Sequence, residues 1–150
     1  TEYTLYLDQD CIFRPDHVES CIDTIESNDL DWSYSLRDIF TKDFEYICHD
    51  DCESLGKYKS YHGVNHIDTN CYCLKREVAV TIAGAWHGGW GQDRVVFGAL
   101  KQYFPKFNCT NAHTLCYRLD GNPNSVNADF FIQGNEIQRK KYAGVFPWRM

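Results

Sequence analysis

The sequence lacks several features that would place it outside ordinary globular proteins. No apolar run approaches the roughly 20 residues that a helix needs to cross a bilayer, and no charged segment precedes an apolar one as in a signal peptide. There is no internal repeat and no low-complexity linker. Basic residues are in the minority, because 15 Lys and Arg against 21 Asp and Glu give a formal net charge of −6. An acidic chain of this kind argues against a nucleic-acid partner.

What is present is the composition of a globular protein. The 150 residues are 43% hydrophobic, 15% aromatic and 24% charged. A chain of this length carries enough apolar surface for one hydrophobic core and rarely for two. We therefore expect a single domain that spans residues 1–150.

Cysteine is unusually frequent for such a composition, with eight residues. Cys21 shares the helical spacing of Ile22 and Ile25, and a free thiol behaves as a small hydrophobic side chain. We interpret the cysteines as buried thiols of a protein in a reducing compartment, and the expected location is cytoplasmic. Structural disulfides are one alternative. The other is a zinc site in a cysteine-rich binding module. The cysteines that would form the zinc site are Cys48, Cys52, Cys71 and Cys73.

Strand and helix patterns alternate along the chain, which indicates an α/β fold. The apolar run over residues 3–7 is typical of a strand buried on both faces of a parallel sheet, and Pro15 predicts the start of a helix. The alternation over 32–36 predicts a second strand, and apolar spacing predicts a helix from Asp43 to residue 55. Four further elements are predicted: a strand over 66–74, a helix over 76–83, a helix over 96–104 and a strand over 114–119.

Two carboxylates, Asp8 and Asp10, directly follow the first predicted strand. Open α/β sheets bind ligands at the carboxyl ends of their strands, and side chains two residues apart in an extended segment point to the same side. Adjacent carboxylates repel each other, and a hard divalent cation such as Mg²⁺ or Mn²⁺ relieves that repulsion. The pair therefore predicts a metal site that bridges to substrate phosphates, with two solvated acids at the start of a loop as the alternative.

An Asp-x-Asp pair after a strand resembles the motifs of two known families. The first family consists of metal-dependent phosphatases with an aspartyl nucleophile, and this resemblance implies that Asp8 would be phosphorylated. That motif has a small hydroxyl residue two positions after the second aspartate, where this chain has Ile12. A phosphatase-like hydrolase is therefore the alternative function.

The more extensive resemblance is to the glycosyltransferases of the GT-A fold, particularly the family-2-like enzymes. It begins with Leu5-Tyr6-Leu7-Asp8-Gln9-Asp10, includes His66-Ile67-Asp68-Thr69-Asn70-Cys71, and continues through Gly89-Trp90-Gly91-Gln92-Asp93-Arg94 to His113. These motifs follow the family's order over most of the chain. The resemblance implies the C-terminal, acceptor-side half of a GT-A domain, with a mixed, mostly parallel sheet flanked by helices.

The same resemblance implies a role for each matched position. Asp8, Asp10 and His113 would bind Mn²⁺ or Mg²⁺, whose charge stabilises the departing nucleoside diphosphate. Asp93 would be the general base of an inverting enzyme, since an acceptor hydroxyl must lose its proton as it attacks. Gln92 replaces the first acidic residue of the family's motif. The implied substrate-binding residues are Asp68, Trp90, Gly91 and Gln92.

Simpler structural roles remain open for several of these residues. Asp93 is also placed to cap a helix, Asp68 to cap a turn, and Trp90 to pack in the core. His113 has an ordinary position at a strand edge as its alternative.

The implied function is metal-dependent transfer of a sugar from a nucleotide-sugar donor to a carbohydrate or other hydroxyl acceptor. In the family, the preceding half of the fold carries the nucleotide-binding strands, and this sequence contains no match to it. We therefore expect either a missing N-terminal half or self-association through the uncovered edge of the first strand.

Overall fold

Helices flank a six-stranded mixed sheet in the computed structural model, which describes residues 1–89, 91–123 and 125–150. The strands are β1 (Tyr3–Leu5), β2 (Ile12–Phe13), β3 (Trp32–Phe40), β4 (Tyr46–His49), β5 (Tyr72–Lys75) and β6 (Phe107–Arg118). The α-helices are α1 (His17–Ser27), α2 (Arg76–Thr81), α3 (Gln92–Tyr103) and α4 (Ala128–Lys141). Short 3₁₀ helices occur at Thr69–Cys71, Ala83–Ala85 and Pro147–Arg149.

The strands of this sheet are mostly antiparallel. Their order is β1-β5-β3-β6-β2, and β4 pairs with the distal end of β3. Only β3 and β6 are parallel among the pairings of the described chain. The expectation of a mostly parallel sheet is therefore wrong. Residues 32–39 of β3 are all buried. This strand lies between antiparallel β4 and β5 on one side and parallel β6 on the other, in a sheet curled into a half-barrel.

The predicted helices at Pro15, at residues 76–83 and at residues 96–104 are confirmed as α1, α2 and α3. Helix α1 buries one face through Cys21 and Ile25, four residues apart, as its spacing predicts. Helix α4 is an addition to the predicted elements, and the Asn127 side chain caps it by accepting the Phe130 N–H. Across the described residues, no helix is both long and apolar enough to span a membrane.

The predicted helix from Asp43 to residue 55 is wrong, because this segment contains β4. Cys48 lies opposite Ile39 of β3, so its apolar side chain packs within a sheet rather than on a helix. The chain then turns at Asp50, whose carboxylate accepts the backbone N–H groups of three following residues at 2.8–3.0 Å. The predicted strand over 66–74 is also shorter than expected. Asp68 accepts the Asn70 N–H and caps a 3₁₀ turn before β5 begins.

The largest core cluster forms around Trp32 at the start of β3. Its ring stacks on Phe107 with centroids 4.2 Å apart, and its indole N–H donates to the Phe104 carbonyl at 2.8 Å. Trp148 is equally buried and donates its indole N–H to Asp51 Oδ1 at 2.8 Å. Trp148 is therefore packed into the core, whereas Met150 is exposed.

All eight cysteines are free, and seven of them are buried. Burial raises the pKa of Cys109 to about 11, and it raises the pKa of the half-buried Cys48 to about 11 as well. These side chains are neutral thiols at neutral pH and fill space between elements. The interpretation of the cysteines as buried free thiols is confirmed, and the disulfide alternative is not.

Candidate functional site

A pocket of about 420 Å³ brings together acidic residues from distant parts of the chain. Asp8 follows β1, Glu53 lies in the turn after β4, Asp68 precedes the 3₁₀ helix before β5, and Asp93 lies in the first turn of α3. Four carboxylates therefore face one concave surface. The rest of the lining includes His66, Thr69, Gly91, Gln92, Arg94 and Tyr117.

Most of the site residues predicted from the sequence line this pocket. They are Asp8, Asp68, Gly91, Gln92 and Asp93. Asp10 is outside the lining, and Trp90 lies outside the described residues. The Gln92 side chain bonds the segment before α3, donating to the Ala85 carbonyl and accepting the His87 N–H.

Asp8 and Asp10 are separated by a tight turn. The Cys11 N–H donates to the Asp8 carbonyl at 3.1 Å, which closes this turn directly after Asp8. The expected extended segment, with both carboxylates pointing to one side, is therefore wrong. Of the two side chains, Asp8 is the one that faces the pocket.

Asn70 connects two of the pocket carboxylates and was not predicted as a site residue. Its amide nitrogen lies 2.9 Å from Asp8 Oδ2 and 2.9 Å from Asp68 Oδ1. Its side-chain oxygen accepts the Asp8 backbone N–H at 2.5 Å. Asn70 is almost fully buried, so these hydrogen bonds fix both carboxylates in place. Its position two residues after Asp68 is the only sequence signal that could have indicated this role.

Arg37 lies beneath the pocket and, like the lining residue Glu53, is not among the residues predicted from the sequence. Its guanidinium nitrogens pair with Asp50 at 2.7 Å, Glu53 at 2.7 Å and Asp68 at 2.6 Å, and its plane lies 4.4 Å from the Tyr117 ring centre. Burial alone opposes the charge, but the three carboxylates raise the pKa of Arg37 well above its ordinary value. Arg37 therefore compensates the acids that surround it.

His66 lies between two acids at the rim of this network. Its Nε2 is 3.5 Å from Asp93 Oδ2 and 3.8 Å from Glu53 Oε1, while its Nδ1 finds no hydrogen-bond partner among the residues that the structure describes. Burial lowers the pKa of His66 despite the nearby Asp93, and burial raises the pKa of Glu53 despite the nearby Arg37. Both shifts favour the uncharged form of the side chain, a neutral imidazole for His66 and a protonated carboxyl for Glu53.

A second cluster lies on the other face of the sheet, because Arg37 and Asp38 are consecutive residues of β3. Asp38, His49 and His113 each offer one ligand atom within 4.8 Å of the others. This is where the structure places His113, so it does not bring the predicted set of Asp8, Asp10 and His113 together. The cysteines considered as zinc ligands form no comparable group within the described ranges.

No family model matches the chain, and a search of curated proteins finds no match either. The fold and the site together define an α/β protein with an acidic pocket beside a curled, mixed sheet. The pocket offers fixed carboxylates for a hard cation or for hydroxyl groups, and a histidine-linked acid for proton transfer.

Proposed function

We propose that the acidic pocket is the active site of a metal-dependent glycosyltransferase. The enzyme transfers a sugar from a nucleotide-sugar donor to a hydroxyl acceptor, with inversion at the transferred carbon. One observation carries this proposal: Asp8, Asp68, Gly91, Gln92 and Asp93 line a single pocket. The GT-A resemblance assigns these residues to one site, although they come from three separate stretches of the sequence.

Asp8 and Asp10 are the residues that would hold Mn²⁺ or Mg²⁺. Oxygen ligands suit both ions, and the Asp8 carboxylate is already oriented by the Asn70 amide at 2.9 Å. When bound, the ion supplies positive charge that stabilises the diphosphate leaving group. Asp10 lies in the turn directly beyond Asp8 and outside the pocket lining, so Asp8 would be the ion's main ligand.

Asp68 is suited to bind sugar hydroxyls. One of its oxygens accepts hydrogen bonds from Asn70, and the other accepts one from Arg37 at 2.6 Å. Each carboxylate oxygen has two lone pairs. Oδ1 already accepts two hydrogen bonds from Asn70, so Oδ2 is the oxygen that keeps capacity to accept from a ligand. Arg37 and Asn70 hold this carboxylate in one orientation. Less conformational entropy is therefore lost when a sugar binds to it.

Asp93 is the proposed general base. Its side chain is 28% exposed and lies at the pocket wall, where an acceptor hydroxyl can reach it. The hydroxyl proton would pass to an Asp93 oxygen as the acceptor oxygen bonds to the anomeric carbon of the sugar. The bond from that carbon to the diphosphate breaks in the same step, and the diphosphate leaves with the electron pair. His66 Nε2 lies 3.5 Å from Asp93 Oδ2, near enough to influence the proton affinity of this carboxylate. General-base catalysis of this kind contributes about 10²–10⁴-fold to the rate.

Calorimetry of UDP- and GDP-sugars, with and without Mn²⁺, tests this proposal on the chain and three variants. Asp8→Asn removes the ion's main ligand and is expected to abolish Mn²⁺-dependent donor binding. Asp93→Asn is expected to keep donor binding but to lower the rate of sugar transfer at least about 10²-fold. Asp23→Asn changes an exposed acid on α1 and serves as the matched control.

Two results would contradict the proposal. Donor binding that is indifferent to both Mn²⁺ and the Asp8→Asn change would remove the cation site. Hydrolysis of phosphate esters with a phosphorylated Asp8 would instead support the phosphatase-like alternative.

A further inference from the structure

Three neighbouring strands bring ligating side chains together on the face of the sheet opposite Arg37 and the acidic pocket. Asp38 of β3 lies directly opposite His49 of β4 in the strand register. The rings of His49 and of His113, which belongs to β6, have centroids 4.2 Å apart. One ligand atom from each residue lies within 4.8 Å of the other two. Because the three residues come from paired strands, their backbone positions are fixed by the sheet.

We propose that Asp38, His49 and His113 bind a transition-metal ion of the Zn²⁺ class, separately from the ion expected at Asp8. Two imidazoles and one carboxylate suit Zn²⁺ and similar borderline ions, whereas oxygen ligands alone suit Mg²⁺ and Mn²⁺. The His49 side chain is 38% exposed, so the site opens to solvent. Three protein ligands then leave a position for water.

His113 supplies the observation that points most directly to a ligand. Its Nε2 is buried, and no described residue forms a hydrogen bond with it. A buried polar atom without a partner is destabilising, and a metal ion bound to the free nitrogen removes that deficit.

Asp38 is positioned by an outer partner, as metal-binding carboxylates commonly are. Arg14 Nη2 donates to Asp38 Oδ2 at 2.6 Å, and His49 Nδ1 lies 2.5 Å from Asp38 Oδ1. An ion placed between Asp38 Oδ1 and His49 displaces the shared proton and widens their separation to roughly 3.4 Å, the ligand spacing of tetrahedral zinc. The Arg14 charge weakens cation binding, so we expect micromolar rather than nanomolar affinity.

Two cysteines lie near this cluster. Cys116 lies opposite Asp38 in the β3–β6 register, and Cys48 directly precedes His49 in β4. Neither belongs to the group whose ligand atoms lie within 4.8 Å of one another, so the proposed ligands are nitrogen and oxygen atoms only.

Titration of the metal-free chain with Zn²⁺ by calorimetry, and with Co²⁺ by absorption spectroscopy, tests the site without any activity assay. We expect one equivalent to bind, with a Co²⁺ spectrum of nitrogen and oxygen ligands and no thiolate charge-transfer band. His113→Ala and His49→Gln are each expected to weaken Zn²⁺ binding at least about 10-fold. His87→Ala, which changes an exposed histidine, is the matched control and is expected to bind normally.

A loss of Zn²⁺ binding is informative only in a variant that still folds, and two histidine variants are therefore compared. Circular dichroism of the metal-free proteins checks each fold, and His49→Gln changes a half-exposed side chain with little effect on packing. Unchanged Zn²⁺ affinity in folded forms of both variants would overturn the proposal, and so would a thiolate band in the Co²⁺ spectrum. The Asp8→Asn variant is expected to bind Zn²⁺ normally, which separates this site from the proposed glycosyltransferase site.

Discussion

Replacing Arg37 with methionine removes the buried cation that pairs with three carboxylates beneath the acidic pocket. Arg37 is 3% exposed, and its three nitrogens lie 2.6–2.7 Å from carboxylate oxygens. Methionine keeps the apolar contact with Tyr117 but has no charge. It would leave Asp50, Glu53 and Asp68, whose side chains are 0%, 14% and 15% exposed, without a compensating cation.

The structure sets the expected magnitude. Breaking a buried ion pair by removing one partner costs about 3–5 kcal/mol, and the upper end applies because three acids lose the same partner. In a chain of this length each kcal/mol lowers Tm by about 2–4 °C. Arg37→Met is therefore expected to lower Tm by about 10–20 °C. Arg37→Lys keeps the charge but loses the forked geometry, so its effect is expected to be smaller.

The destabilisation caused by Arg37→Met is expected to depend on pH, and its direction follows from the pKa values of the buried carboxylates. Burial opposes ionisation of Asp50, but Arg37 and backbone N–H groups more than offset this and lower its pKa. Asp50 therefore stabilises the fold above its unfolded pKa, and this contribution is lost as the pH falls through its folded value. In Arg37→Met the buried carboxylates take up protons more readily. The difference in the free energy of unfolding between parent and variant is therefore expected to become smaller as the pH falls from about 7.5 to about 5.

Urea unfolding followed by circular dichroism at these two pH values measures the effect. Arg139→Met is the matched control, because Arg139 is exposed and pairs with Glu136 only at 3.7 Å. That change is expected to alter stability by less than about 0.5 kcal/mol. If Arg37→Met were within about 1 kcal/mol of the parent at the higher pH, or if the gap widened at the lower pH, this account of the network would be refuted.

Three further substitutions test the burial of one histidine and the packing around two helical glycines. His17 is fully buried, and burial lowers its pKa to about 4. The unfolded chain therefore binds this proton first, and stability falls by about 2 kcal/mol between about pH 7.5 and about pH 5. His17→Leu is expected to remove that part of the pH profile in urea unfolding, and an unchanged profile would contradict the assignment. Gly134→Ala in α4 would place its Cβ 2.7 Å from Cys52 Sγ, with an expected destabilisation of about 1–3 kcal/mol. Gly98→Ala in α3 meets open space and is expected to stabilise by about 0.5–1 kcal/mol. Thermal melts compare the two, and equal effects would argue against the close packing at Gly134.

Elements with one consistent apolar period were predictable from the sequence. Helices α1 and α3 follow the 3.6-residue spacing of their buried residues, and the start of β3 follows from alternation. The segment from Asp43 to residue 55 has helical spacing too, but pairing of β4 with β3 prevailed. Propensity and spacing are weak where a neighbouring strand offers its edge, because cross-strand packing then decides the local conformation.

The sequence by itself indicated three of the four acids that line the pocket, and the burial of the cysteines. Asp8, Asp68 and Asp93 stand in motifs at the ends of predicted elements, so local position singles them out. The fourth acid, Glu53, joins them only through the fold. Only the tertiary structure revealed Arg37 beneath them, Asn70 between them, and His113 in a different cluster. These contacts join residues far apart in the chain through bonds of 2.6–2.9 Å. Such distances depend on strand register and on the curl of the sheet, which arise from packing between elements and not from any one segment.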